Sequence, residues 1–216
     1  MHIYPITVFD MDGTLIDSAP GILNSLKYAL AHLGLELPDS FDLRPCLGPP
    51  LSWSFQTQLH VPAEKIEEAI AVYRDYYGRT GAFEAELYPG IKTLLEDLNQ
   101  AGAVVCLATT KYSVMAEKMM NHFGIRGLIK HAAMATVNQT QSAKKEMLQD
   151  LLKRCGQKPE NAVMIGDTRY DAEGAAAAGL DFIGVLYGYG LREEMEQAGG
   201  RKFVADAMSL RSALFG

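Results

Sequence analysis

From about residue 88 onward the chain alternates short apolar runs with amphipathic helical patterns, and few folds accommodate that rhythm. Helical periodicity covers 90–101, 113–123, 142–154 and 171–178, while "AVVCLAT" (103–109), "AVMIG" (162–166) and "FIGVL" (182–186) are apolar runs of strand length. Strands apolar on both faces must be covered on both faces, as in a parallel sheet whose right-handed crossover helices lie on either side. The pattern predicts an α/β fold built on a doubly wound parallel sheet. "IYPITVF" (3–9) adds a strand near the start, and then the character changes. Ile22, Leu23, Leu26, Leu30 and Leu33 recur at helical spacing between Pro20 and Gly34, and "AEKIEEAIAVYRDYYGR" (63–79) is amphipathic with no β-alternating neighbour. Residues 17–86 are expected to form an all-helical insertion and residues 1–16 with 87–216 the α/β core, with "YPG" (88–90) as the return hinge.

Open parallel sheets bind ligands beyond the carboxyl ends of their strands. In "VFDMDGTLIDS" (8–18) Asp10 and Asp12 stand at such an end. Residues i and i+2 of extended chain face the same side, so both carboxylates can enter one pocket, and Gly13 permits a sharp turn behind them. Like charges this close raise one pKa unless a cation intervenes, which leaves two outcomes: a bound divalent metal, or one aspartate held protonated as an acid. Other strand ends supply partners. "CLATTK" ends on Thr109 and Thr110, followed by Lys111. "MIGDTRYDAEG" ends on Gly166 and Asp167, with Asp171 four residues on and expected on the same helical face. "QSAKKEML" places Lys144 and Lys145 where a helix begins. Three carboxylates around one pocket suit a hard cation such as Mg²⁺, which prefers oxygen ligands.

Charge and composition exclude other classes. With 216 residues, 48% of them apolar and 21% charged, the chain can bury one large core, or a core and a small second module. A net charge of -6 and the lack of any Lys/Arg run argue against a nucleic-acid partner and a membrane-surface patch. Cys46, Cys106 and Cys155 are odd in number and far apart, which suggests neither a disulfide framework nor a zinc site. No leader-like apolar region opens the sequence, and no run approaches the roughly 20 apolar residues of a membrane span, so a cytoplasmic location is expected.

Four features in chain order, "DMDGTLIDS", the strand ending in Thr109, Lys144 and "GDTRYD", resemble the four motifs of the haloacid dehalogenase-like hydrolase superfamily. The match spans essentially the whole chain and implies a Rossmann-like core, with residues 17–86 similar to that superfamily's type 1 helical cap. "GPPL" (48–51), "ELYPGI" (86–91) and "IGVLYGYGLREE" (183–194) resemble the phosphoglycolate phosphatase-like branch, especially members named 5′-nucleotidases. The resemblance implies that Asp10 attacks phosphorus to form an aspartyl-phosphate. Asp12 would protonate the leaving alkoxide and then deprotonate the hydrolytic water. Thr109 and Lys144 would bind phosphoryl oxygens. Mg²⁺, held by Asp10, the Asp12 carbonyl and Asp167, would screen charge, with Asp171 holding the metal's water shell or a ligand. Gly13, Thr110, Lys111 and Arg44 are further candidates for substrate binding, Thr110 as the rival of Thr109 and Arg44 as the group for a second anion, from the loop "RPCLGPPLSW" (44–53). The expected substrate is a small phosphorylated metabolite, with phosphoglycolate, nucleoside monophosphates and sugar phosphates all admissible, and the expected assembly is a monomer or homodimer.

Plainer explanations compete with each assignment. "DGT" alone is a common turn, Thr109 could simply end its strand, and Asp171 could be a first-turn carboxylate favoured by the helix dipole. Exposed basic residues such as Lys111 and Arg44 more often do nothing specific. The proline that often follows the family lysine is absent, which leaves Lys145 as a rival of Lys144. Tyr73, Tyr76 and Tyr77 suit packing better than substrate stacking, and His60, His122 and His131 show no ligand spacing. A phosphomutase, which returns the phosphoryl group to substrate, and a non-catalytic phosphate-binding protein share the scaffold; competent side chains in every motif disfavour the second. A phosphatase is the expected activity, its helical insertion acting as a lid hinged near 16–20 and 86–90 to exclude water.

Overall fold

The computed structural model describes residues 4–38, 40–136 and 144–216. The chain divides into two compact units, Met1–Asp17 with Leu87–Gly216, and Ser18–Glu86. Strands β1 (Ile6–Phe9) and β2 (Ile16–Asp17) come first, followed by helices α1 (Ala19–His32), α2 (Leu51–Trp53) and α3 (Ile66–Arg79). After β3 (Glu86–Leu87) the elements alternate: α4 (Ile91–Gln100), β4 (Val104–Tyr112), α5 (Ser113–His122), β5 (His131–Ala135), α6 (Lys144–Cys155) and β6 (Ala162–Gly166). The chain continues through α7 (Arg169–Ala178), β7 (Asp181–Val185), α8 (Arg192–Gln197), β8 (Lys202–Val204) and α9 (Ala207–Phe215).

In the α/β unit six strands form one parallel sheet in the order β5-β4-β1-β6-β7-β8. From β1 the chain builds outward through β4 and β5, then returns to the other side of β1 with β6, β7 and β8. The winding therefore reverses between β1 and β6, and a doubly wound sheet opens its ligand crevice at the carboxyl ends flanking such a reversal. Register brings Phe9 opposite both Leu107 and Ile165, so the residues that follow β1, β4 and β6 emerge side by side. Ile6, Val8, Cys106 and Met164 pack under Met147, Leu148 and Leu151 of α6. Their alternates Thr7, Phe9, Val105, Leu107, Val163 and Ile165 are equally buried, so both faces of the sheet are covered.

The central strands follow the apolar runs, whereas the edges depart from expectation. β5, β8, α8 and α9 are not anticipated by the alternation. β5 reads "HAAMA" and is only half-buried, and β8 is three residues long, so edge strands with one covered flank carry little hydrophobic signal. β4 does not stop at Thr109 or Thr110: it runs to Tyr112 across an irregularity in its pairing with β5 between Thr109 and Tyr112. Residues 142 and 143, expected to open the helix now seen from Lys144, lie outside the described residues.

In the helical unit α1 packs on α3. Gly21 lets α1 approach the turn that follows α3, since a Cβ there would lie 1.8 Å from the Gly81 carbonyl oxygen. Leu26, Ala29, Leu30, Phe55, Ala69, Tyr73 and Tyr77 are buried. Tyr73 stacks on Tyr77 with centroids 5.6 Å apart and Tyr76 on Tyr28 at 4.7 Å, so the tyrosines of α3 are packing residues.

Candidate active site

β1 ends on Phe9, and the Asp10 N–H donates to the Ile165 carbonyl at 2.9 Å, which fastens Asp10 beside the end of β6. One residue past β6 comes Asp167, fully buried. Thr168 then caps α7, and Asp171 sits in the first turn of that helix, its Oδ2 accepting from the Thr168 N–H (3.1 Å) and hydroxyl (2.7 Å) in a capping box. Asp167 therefore precedes the helix, and the expected same-face relation of Asp167 and Asp171 is replaced by a capping turn. The outcome is still convergence: oxygens of Asp10, Asp167 and Asp171 lie within 4.8 Å of one another.

Into this acidic cluster projects Lys144, the first residue of α6. Its Nζ lies 2.9 Å from Asp10 Oδ1, 2.8 Å from Asp171 Oδ1 and 2.9 Å from the Ala108 carbonyl oxygen. Gly174 of α7 makes room for it, because a Cβ there would come within 2.6 Å of Lys144 Cβ. Burial works against the ammonium, but Asp10 and Asp171 more than offset it and the Lys144 pKa is raised. Lys145, its sequence rival, is exposed.

Three carboxylates against one ammonium leave a formal charge of -2 in a buried place. Burial, with the negative charges of Asp171 and Asp10, pushes Asp167 up to about 8. Burial likewise raises Asp10 to about 6, Lys144 pulling it down while Asp171 and Asp12 push it up. A divalent cation would relieve that frustration, and an all-oxygen donor set fits a hard one. Asp167 is held ready for such a partner: Oδ1 accepts from the Thr14 hydroxyl at 2.9 Å and Oδ2 from the Tyr189 N–H at 2.8 Å. Gly13, at φ +78°, lies so close that a Cβ would meet Asp167 Oδ2 at 2.2 Å, so its place is set by the turn and by this contact.

The Asp12 carboxylate stands apart from that cluster. Lys111 forks onto it, Nζ lying 2.8 Å from Oδ1 and 3.0 Å from Oδ2. Thr109 is buried and its hydroxyl accepts the Lys111 N–H at 3.2 Å, whereas Thr110, next along the strand, is exposed. Arg44 lies in the helical unit, where its guanidinium is exposed and pairs with Asp42 at 2.9 Å. Thr14, Gly174 and Tyr189 went unassigned in the sequence. Thr14 lies within "DGT" and Tyr189 within "YGYG", whose close-set glycines were the available signal.

Residues 7–185 match the family model described as haloacid dehalogenase-like hydrolase. A 5′-nucleotidase from Pseudomonas aeruginosa is 35% identical over 211 residues, covering 98% of this chain and 96% of that one. The tyrosine-protein kinase PtkA of Mycobacterium tuberculosis is 37% identical over 185 residues, 86% of this chain, and the match spans 63% of the kinase's length. A solved structure of that kinase superposes with a TM-score of 0.86 at 33% identity, covering 100% of both chains. A phosphoglycolate phosphatase from Vibrio parahaemolyticus is 27% identical over 212 residues, 94% of this chain and 92% of its own.

Proposed function

The chain belongs to the haloacid dehalogenase-like hydrolase family, and from that premise we propose that it is a Mg²⁺-dependent phosphatase acting on a small phosphomonoester through an aspartyl-phosphate at Asp10. The observation that carries the reading is the convergence of the Asp10, Asp167 and Asp171 carboxylates on one buried spot, with Lys144 supplying only part of the charge they need.

Asp10 is the carboxylate at the end of β1, held by Lys144 through one oxygen, and its role is to form the new bond to phosphorus. As the ester bond breaks, the alkoxide takes a proton from Asp12. Asp12 then removes a proton from the water that attacks the aspartyl-phosphate, releasing phosphate and restoring Asp10. Thr109 and Lys144 face the phosphoryl oxygens, Lys144 also fixing the aim of Asp10. Asp10, Asp167 and Asp171, with the Asp12 carbonyl, would hold the cation, whose positive charge allows an anionic ester to approach an anionic nucleophile. Arg44 is retained as a candidate for a second anionic group, though any such ligand must compete with Asp42.

The names of the relatives support phosphoglycolate and nucleoside monophosphates, within a substrate class that also includes sugar phosphates. Water as the final acceptor makes the reaction hydrolysis rather than the return of phosphate to substrate in a mutase. A cytoplasmic location accords with three free thiols, and no helix among the described residues is long and apolar enough to cross a membrane. Phosphate release from a panel of phosphomonoesters, with and without Mg²⁺, tests the proposal: release that depends on the ion supports it, and no release from any ester by folded protein rejects it.

A further inference from the structure

Lys111 and Asp12 are 99 positions apart and meet as a forked ion pair in which the ammonium lies against both oxygens of Asp12. The lysine side chain is 8% exposed and the aspartate 25%, so this is a sheltered contact, in contrast with the surface pair of Arg44 and Asp42. It creates a conflict with the proposed reaction, on which the following inference rests. The leaving-group oxygen and then the hydrolytic water need the carboxylate oxygens that the ammonium occupies. Lys144 stays engaged with Asp10, Asp171 and the Ala108 carbonyl, all within 2.9 Å of its Nζ, so it is Lys111 whose partner the anion must displace to uncover Asp12. Lys111 is held by the Asp12 carboxylate, and a phosphate monoester brings up to two negative charges to compete for it. Its backbone N–H donates to the Thr109 hydroxyl, which ties the lysine to a residue assigned to the phosphoryl oxygens.

We propose that Lys111 is a partner-switching residue: in the free enzyme its ammonium holds the Asp12 carboxylate, and the arriving phosphoryl group takes the ammonium over and uncovers Asp12. No covalent bond changes in this exchange; one ion pair is traded for another. The acid–base group is thereby unmasked only when an anion is in place.

Competition has a signature that a fixed structural clamp lacks. Inorganic phosphate, titrated calorimetrically in the presence of Mg²⁺ into the full-length protein and its Asp12→Asn, Lys111→Met and doubly substituted variants, reads it without turnover. Lys111→Met should weaken phosphate binding by about tenfold, the scale of coupling between contacting charges. Asp12→Asn removes the internal competitor and should tighten binding by about threefold or more, and this gain should largely vanish when Lys111 is already Met, since the two residues are coupled. Lys111→Arg keeps the cation and should retain most of the affinity. Unchanged affinity in folded Lys111→Met, or an equal gain from Asp12→Asn in both backgrounds, overturns the switch. If Lys111→Met does not fold, loss of affinity in Asp12→Asn alone overturns it and a gain in Asp12→Asn with retention in Lys111→Arg supports it. Turnover of p-nitrophenyl phosphate by the unsubstituted protein is followed separately, so failure of the phosphatase reading shows there and not in the binding cycle.

Discussion

The two units bury different things. Among the described residues of the helical unit the buried polar ones are hydroxyl-bearing, Ser18, Ser25 and Ser54, and the interior is closed by aliphatic chains and the rings of Phe55, Tyr73 and Tyr77. In the α/β unit the buried set includes Asp10, Asp167, Asp171 and Lys144, all at one end of the sheet. Burying ionised groups costs several kcal/mol each before any compensation, so a fold selected only for stability would use the first interior throughout. The second interior is a concentration of unfavourable charge, of the kind that a cation and an anionic substrate relieve together. Two glycine contacts express the same contrast: Gly21 lets α1 approach the Gly81 backbone, whereas Gly174 gives space to a charged side chain.

The comparison breaks most decisively at Asp10. Asp10→Asn keeps the size of the nucleophile and removes its charge, and kcat is expected to fall by at least about 10³-fold in phosphate-release assays; near-normal turnover would reduce the acidic cluster to a structural curiosity. Next comes the ion. EDTA should bring hydrolysis to background and added Mg²⁺ should restore it, so activity persisting after complete metal removal would remove the reason for assembling three carboxylates.

Gly174→Ala sharpens the contrast by disturbing Lys144 without replacing a titratable group. The added methyl should lower stability by about 1–3 kcal/mol and, by displacing the ammonium, reduce kcat/KM by about tenfold to a hundredfold. Gly21→Ala is its counterpart in the helical unit: a comparable loss of stability in thermal melts, about 1–3 kcal/mol, with kcat for p-nitrophenyl phosphate unchanged in the folded protein at low temperature. Equal catalytic damage from both substitutions would show that the two interiors are not functionally distinct.

The effect that touches catalysis least is on the pH dependence of stability without metal. Asp167 has an ordinary value of 3.8 and is pushed up to about 8 in the folded protein, chiefly by burial. The folded chain therefore keeps a proton that the unfolded chain gives up between those values, and stability falls as pH rises through that window. Melting temperatures of EDTA-treated protein should decline from about pH 4 to about pH 8, and Mg²⁺ should restore stability most at the alkaline end. A flat profile in EDTA would mean that Asp167 is not the charged burden the geometry makes it.

Sequence periodicity made the central sheet legible because β1, β6 and β7 are covered on both faces over most of their length and so are written as largely apolar runs. The edge strands were not, since β5 and β8 satisfy a weaker burial requirement. Haloacid dehalogenase-like membership was legible in four ordered motifs. The local relation of Asp167 to Asp171 was misjudged for a specific reason: spacing of four suggests one helical face, but the helix starts after Asp167 and Asp171 turns back to cap it.

By itself, the sequence determined which chemical groups stand at the strand ends and the order in which the chain delivers them, because both are properties of residue type and local period. Tertiary structure alone decided who meets whom. Lys144 reaches Asp10 across 134 positions, and Lys111 rather than a metal-binding cluster claims the Asp12 carboxylate across 99. Those meetings follow from the reversal of winding between β1 and β6 and from the continuation of β4 past Thr109, and long-range pairing of this kind is set by crossover geometry and packing, which no local period records.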